Sequence, residues 1–274
     1  MLIGAGLLLT AVGAAHECWL APQRYEVLVG TRQYIARCVG EGFVAEPWDA
    51  PSRRVRRMLH LAPGHETDLT TALTAGDTLR STLAFTRVGT NVVALRSTES
   101  LITLEGAKFN AYLREDGLTT VLAQRTANGD LAKAGREGYS RCLKTLVRVS
   151  DARRAAAPPD PADTCWRQVL GLPLELVPEQ DPYRLRAGDS LTVRLLVGGQ
   201  PAVGVLVQVW LRTTPRGPVA PRKLRSDLRG RVRFRLPRAT EVMVSCVRMT
   251  AHPRRDSADW QSTWAALTFG GPAH

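Results

Sequence analysis

A mainly β fold, with two immunoglobulin-like β-sandwich domains and a short helical insertion between them, is what the sequence predicts. Three observations carry this. Short apolar stretches recur between turn residues up to about residue 105. The apolar period then becomes helical over about 106–130. A second series of short strands begins near residue 169, after the Ala/Pro-rich run Ala155-Ala156-Ala157-Pro158-Pro159-Asp160-Pro161. Strands repeat every two residues and helices about every 3.6, so period separates the two.

In the first domain, residues 16–150, Tyr25 to Gly30 and Gln33 to Val39 read as strands joined by a Gly-containing turn. Val55 to Leu61, Thr78 to Phe85 and Asn91 to Ser97 continue the rhythm, with turn residues at Pro63-Gly64, Gly76-Asp77 and Gly89 between them. Ala107 to Glu115 places Phe109, Tyr112 and Leu113 on one helical face. Asp116-Gly117 interrupts, and Leu118, Val121 and Leu122 resume the helical pattern up to Ala127. A helical hairpin or kinked helix is expected there. Leu143 to Val149 returns to strand, and residues 151–168 form the linker.

The second domain, residues 169–274, reads as strands at Leu174–Val177, Ser190–Val197, Val203–Leu211, Glu241–Met249 and Thr263–Phe269. Val203, Val205, Val207, Val209 and Leu211 share one face at period two. Arg229, Arg231, Arg233 and Arg235 alternate with Gly230, Val232, Phe234 and Leu236, which is a strand with one charged and one apolar face. About seven strands is the immunoglobulin-like number.

The N-terminus predicts export. Leu2 to Val12 is uncharged and apolar, and it closes on Gly13-Ala14-Ala15. The run is shorter than the roughly 20 residues that span a bilayer. An apolar core followed by small residues is the pattern of a secretory signal. Cleavage after Ala15 makes His16 the first residue of a periplasmic protein; cleavage after Ala14 is the alternative. Nothing after residue 15 is long and apolar enough to span, so no stable membrane insertion is expected once the signal is removed.

The formal net charge of +12 raises the possibility of nucleic-acid binding. The basic residues are scattered, as in Arg53-Arg54, Arg56-Arg57, Arg153-Arg154 and Arg254-Arg255, and no nucleic-acid motif accompanies them. No nucleic-acid partner is expected, whereas a basic surface favours anionic lipids or acidic partners. The five cysteines, 18, 38, 142, 165 and 246, form no Cys-x-x-Cys pair and no zinc-ribbon spacing. An oxidising compartment allows one or two disulfides and leaves at least one thiol over. Cys246, in an apolar strand, reads as a small buried hydrophobe.

Metal binding is the sharpest chemical expectation. The histidines are 16, 60, 65, 252 and 274. A terminal His16 offers an α-amine and an imidazole on one residue, a donor pair that suits Cu(II) or Ni(II). A second histidine would complete the site. His60 and His65 flank the turn Leu61-Ala62-Pro63-Gly64, and His252 is the further candidate. Cys18, third in the mature chain, offers a thiolate instead. His274 is terminal and carries no expected role.

Catalysis is not expected. Gly-x-Ser-x-Gly, the phosphate loop and His-Glu-x-x-His are all absent. Asp256-x-x-Asp259-Trp260 resembles a sugar-cleft signature, but carboxylates in such a loop more often cap turns and pair with Arg254 or Arg255. Arg136-Glu137-Gly138-Tyr139-Ser140-Arg141 reads as an inter-domain clamp, with Arg141 pairing a carboxylate and Tyr139 packing. A pocket for an anion is the alternative for that segment. Trp260 and Trp264 read as core.

Several of these segments together resemble a bacterial periplasmic family of unknown function that carries a historical nickel-uptake (NikM-like) label. The residues concerned are His16-Glu17-Cys18-Trp19-Leu20-Ala21-Pro22, Gly40-Glu41-Gly42-Phe43, Lys108-Phe109 to Gly117-Leu118 and Arg136 to Cys142. Gly171 to Pro178, Asp181-Pro182-Tyr183, Asp227 to Pro237 and Asp256 through Phe269 also fit. The resemblance implies a periplasmic β-sandwich protein with a role in transition-metal uptake. Similar proteins tend to carry His-Met where this chain has Arg248-Met249.

The expected function is therefore a non-enzymatic one: an exported protein that binds or hands over nickel, cobalt or copper beside a membrane metal transporter. The alternative is a non-catalytic envelope module whose sandwiches bind a protein or glycan, and a copper-dependent oxidase ranks third.

Overall fold

The computed structural model describes residues 17–48, 54–71, 80–154, 160–213, 219–238 and 241–272. His16 and the signal, residues 155–159 of the linker and His274 lie outside the described residues. In chain order the strands of the first half are β1 (Glu17–Pro22), β2 (Glu26–Leu28), β3 (Thr31–Glu41), β4 (Val44–Pro47), β5 (Val55–Ala62), β6 (His65–Asp68), β7 (Arg80–Phe85), β8 (Gly89–Ser97) and β9 (Ser100–Leu104). Helices α1 (Gly106–Glu115) and α2 (Thr119–Ala127) follow, then β10 (Gly135–Ser150). The second half adds β11 (Leu174–Pro178), β12 (Ser190–Val197), β13 (Gln200–Pro201), β14 (Leu206–Arg212), β15 (Arg222–Arg225), β16 (Arg231–Arg235), β17 (Glu241–Ala251) and β18 (Trp260–Phe269).

Among the described residues these strands form three sheets. A ten-stranded central sheet runs β15-β14-β17-β18-β10-β8-β5-β6, with β2 and β9 also paired to β10. Four strands, β1, β3, β4 and β7, make a second sheet, and β11, β12, β13 and β16 make a third. The central sheet takes strands from both halves of the chain. Its junction is the parallel pairing of β10 with β18, from Glu137 opposite Trp260 to Thr145 opposite Thr268.

Because successive side chains point to opposite faces of a strand, each central strand feeds two cores. Cys142 and Leu146 of β10 pack with Val207, Val244, Leu267 and the third sheet. Leu143 and Val147 of the same strand pack with Trp210, Met243 and the sheet that holds Trp19 and Ile35. The chain is thus mainly β, with two immunoglobulin-like sandwiches that share one sheet. The helical hairpin extends the second of these cores. Phe109, Tyr112, Leu113, Leu118 and Val121 pack on Val247, Met249, Trp260 and Trp264.

The helices follow the predicted apolar face. Between them Gly117 has a left-handed backbone (φ +66), and a Cβ there would stand 2.9 Å from the Leu206 Cβ. Glycine is what lets the hairpin seat directly on β14.

Opposite the helices, Lys144 of β10 points into the other core and meets Glu175 of β11, Nζ to Oε1 2.9 Å, with both side chains almost fully buried. Glu175 also accepts the N–H groups of Leu170 (2.8 Å) and Leu172 (3.1 Å), and Lys144 donates to the Gln168 carbonyl. The pair fastens the segment leading out of the linker to the central sheet.

Some expectations shift in detail. β10 starts at Gly135, eight residues before the expected Leu143, and β14 starts at Leu206, so Val203 lies in an exposed loop and not on the strand face. All five cysteines are free and buried. Cys142 and Cys246 both sit opposite Ala265, two strands apart at about 10 Å, which is too far for a disulfide.

Candidate functional site

The site begins with the first described residue. β1 pairs antiparallel with β3, Glu17 opposite Gly40, and lies over β10 and β18, where Thr268 Oγ1 donates to the Leu20 carbonyl (2.7 Å). Glu17 is thereby carried into the interior, 4% exposed. Its Oε1 accepts from Gln208 Nε2 at 3.1 Å. The same amide nitrogen donates to Asp116 Oδ1 at 2.9 Å. Asp116 caps α1, and its own N–H donates to the Tyr112 carbonyl, so the helix end aims this carboxyl at the sheet.

One turn back on α1, Tyr112 donates its hydroxyl to Glu137 Oε1 (3.3 Å), and Ser262 donates to the same oxygen. Residues four apart on a helix share a face, which is why Tyr112 and Asp116 both meet the sheet. Glu17, Asp116 and Glu137 therefore form a buried acidic row between α1 and the central sheet. Burial pushes the Glu17 carboxyl up to about 8, and the Asp116, Glu41 and Glu115 charges add to it. Burial likewise raises Asp116 to about 7, assisted by Glu115 and Glu137. Glu137 is raised to about 7 by burial, opposed by its hydrogen bonds and by Arg141. Asp116 Oδ2 is buried with no hydrogen-bond partner among the described residues.

Like-charged carboxyls out of water cannot all ionise unless a cation joins them. The row is chemically an acceptor for protons, an amine or a metal ion. Beside it Cys18 is buried, and burial pushes its thiol up despite Arg141 and Arg37. The Arg141 guanidinium lies over the Trp48 and Tyr139 rings, 4.9 Å from each centroid.

The histidines predicted as ligands fall in separate places. His60 hydrogen-bonds Asn91 Oδ1 (2.8 Å) and packs its ring on Phe85, centroids 5.1 Å apart. His65 lies across the β5–β6 hairpin from Ala62 and contacts Thr67. Cross-strand geometry puts His60 and His65 on one face of that hairpin. His252 is 2% exposed, with Nδ1 on the Arg254 carbonyl (2.8 Å) and Nε2 on Glu99 (3.2 Å). Four strand spacings, about 19 Å, separate β17 from β5, so His252 does not join the other two. Glu17 and Phe85 pair with opposite ends of β3, about 30 Å apart along the strand, so a ligand preceding Glu17 is remote from His60. His16 itself lies outside the described residues. Among the described residues no group of three or more His, Cys, Asp or Glu could hold a metal ion.

The clamp exists with a different arginine. Arg136, not Arg141, pairs the carboxylate: its Nη2 meets Asp259 Oδ1 at 2.7 Å and its Nε meets Oδ2 at 3.2 Å. Asp259 is therefore bound by Arg136, while Arg255 donates to its backbone carbonyl. Trp260 and Trp264 are buried with the helices. No described helix is long and apolar enough to cross a membrane.

The fold is that of a mainly β protein with two immunoglobulin-like sandwiches and an inserted helical hairpin. The profile of the family described as "Domain of unknown function (DUF4198)" matches residues 13–250, and the chain belongs to that family. No curated protein matches it. Among solved structures it is similar to fibronectin(III)-like modules of CbhA from Clostridium thermocellum, with 9% identity, 93% of this chain and 95% of that one covered, and a TM-score of 0.20. It is also similar to Salmonella alpha-2-macroglobulin, both as the Y1175G mutant and after reaction with methylamine. Each shows 12% identity over 93% of this chain and 15% of that one, with a TM-score of 0.23.

Proposed function

We propose that the protein is exported to the periplasm and binds or hands over a transition metal ion, nickel, cobalt or copper, in support of metal uptake by a membrane transporter. The metal is cargo and no chemistry is done on it. The amine and imidazole of a cleaved His16 would hold it, together with the Asp116 carboxylate, in place of the second histidine expected from sequence. One observation carries this reading. The residue that follows His16 is buried in a carboxyl row whose Asp116 Oδ2 has no partner among the described residues. A metal drawn to that oxygen would displace the proton that burial keeps there. The historical nickel-uptake label of the resembling family agrees with this reading.

Calorimetric titration of the protein recovered from the exported fraction with Ni(II) and Cu(II) tests it. Saturable micromolar binding is expected at pH 7, weakened at least about ten-fold by His16→Ala and by Asp116→Asn. His60→Ala and His65→Ala should leave it unchanged. Absence of binding, or binding indifferent to the first two variants, removes the proposal. It would favour the second reading, an envelope module that binds a protein or glycan.

A further inference from the structure

Two adjoining turns at the outer edge of the second sandwich form a rigid platform. One joins β15 to β16 (residues 226–230), and the other follows β13 (residues 202–205). Ser226, 5% exposed, fastens them together. Its hydroxyl donates to the Ala202 carbonyl (2.7 Å) and accepts the Val205 N–H (2.9 Å). Its backbone exchanges hydrogen bonds with Gly204 and Val205, both 3.0 Å. Gly230 has φ +71, and a Cβ there would stand 2.6 Å from the Leu195 carbonyl oxygen and 2.9 Å from the Ala202 nitrogen. The two turns are thus held as one body.

The platform presents two apolar side chains to solvent. Leu228 is 88% exposed and Val203 is 53% exposed. Exposed arginines surround them: Arg225 at the end of β15, Arg229 on the first turn, and Arg248 on β17 beside Val203. Arg233 and Arg235 extend the charge along the exposed side of β16. Two acidic groups lie among these arginines and are outnumbered by them. Asp227 accepts the N–H groups of Arg229 and Arg231 (2.8 Å each), and Glu179 takes the Arg231 guanidinium (2.9 Å).

We propose that this edge docks the protein reversibly on an anionic phospholipid bilayer. Leu228 and Val203 enter between headgroups, and the arginines meet lipid phosphates. Charge complementarity and shape select this occupant. Guanidinium groups bind phosphate in a bidentate manner. Leu228 projects at the tip of its turn, with Val203 half-exposed beside it, and such an aliphatic tip suits the boundary between headgroups and acyl chains. An acidic protein would meet the same arginines without needing the exposed Leu228, and the test separates that occupant from a bilayer.

Co-sedimentation of the purified protein, as recovered from the expressing cell, with lipid vesicles tests the proposal. Binding is expected to vesicles in which phosphatidylglycerol is a third of the lipid, and not to pure phosphatidylcholine. It should weaken as salt rises. Arg225→Glu with Arg229→Glu should weaken it at least about ten-fold, given roughly five-fold per arginine near a charged surface. Leu228→Asp should weaken it about ten-fold through the lost apolar contact. Arg32→Glu, an exposed reversal on β3, should change it by less than about two-fold. Arg225 also donates to the Gly204 carbonyl (2.8 Å), so its variant is compared with Arg229→Glu alone, which, like Leu228→Asp and Arg32→Glu, should match the parent in thermal unfolding and should by itself weaken binding about five-fold or more. Equal binding to neutral vesicles, no vesicle binding, or losses no larger than that of Arg32→Glu would overturn the proposal. Loss with the arginine variants but not with Leu228→Asp would overturn the wedged mode. Capture of polyglutamate without vesicle binding would reassign the edge to an acidic protein.

Discussion

Strand β10 carries Lys144 on one face and Glu137 on the other, and the two buried groups sit under opposite rules. Lys144 has a counter-charge at 2.9 Å, and Glu175 in turn satisfies two backbone N–H groups. Burial pushes the Lys144 ammonium down, and Glu175 opposes that push. Glu137, on the helix side, is raised to about 7 by burial, against the Ser262, Tyr112 and Trp264 hydrogen bonds and the Arg141 charge, so it is held partly protonated near neutral pH. A completed pair is a fastening between layers. A buried row of carboxyls with no close ion pair among the described residues holds protons near neutral pH and is the candidate site. The same strand and the same degree of burial therefore separate architecture from a candidate site.

The largest expected effect breaks the completed pair. Lys144→Met leaves Glu175 buried without its counter-ion and should cost about 3–5 kcal/mol in denaturant unfolding. Lys144→Met combined with Glu175→Gln removes the charge and keeps an acceptor for Leu170 and Leu172. It should recover at least half of that loss.

The acidic row should respond to pH in the opposite sense to ordinary salt-bridged carboxylates. Glu17, Asp116 and Glu137 are raised from 4.5, 3.8 and 4.5 to about 8, 7 and 7. The folded state then holds protons that the unfolded chain has released. The stabilisation is complete below about pH 4 and is lost as pH rises through 7 to 8. Each group contributes a slope of up to about 1.4 kcal/mol per pH unit between its two values. Metal-free protein should accordingly unfold more easily at pH 8 than at pH 6, and Asp116→Asn should flatten that dependence. A profile identical in parent and variant would remove Asp116 from the row.

A smaller effect tests how the hairpin is seated. Gly117→Ala combines an unfavourable φ with crowding against Leu206, and should cost about 1–2 kcal/mol in thermal or chemical unfolding. The smallest concerns the clamp. Arg136 and Asp259 are both more than a third exposed, so Arg136→Ala should lower stability by less than about 1 kcal/mol.

Much of this frame was readable beforehand. Phe109, Tyr112 and Leu113 announced α1, and the alternation around Val232 and Phe234 announced β16, because one face of each element is apolar and the other is not. The first half of β10 was harder. Arg136, Glu137 and Tyr139 are polar, and the apolar partners that cover Glu137 and Tyr139 arrive from α1 and β18. The sharing of one sheet by both sandwiches rests on a parallel pairing between strands more than a hundred residues apart, which leaves no local pattern. The acidic row was hidden for a related reason. Asp116 before Gly117 reads as a turn residue at a helix break, and only docking on β14 brings it to Gln208 and Glu17. His60, His65 and His252 were visible by type, but their separation depends on strand order alone.

The most direct measurement is the intact mass and N-terminal sequence of the protein recovered from the exported fraction, with the metal content of the same sample. A chain beginning at His16 and carrying close to one nickel, cobalt or copper ion is the expected result, with the metal lost in Asp116→Asn. A chain that still begins at Met1, or a processed chain that carries no metal after exposure to all three ions, would contradict it.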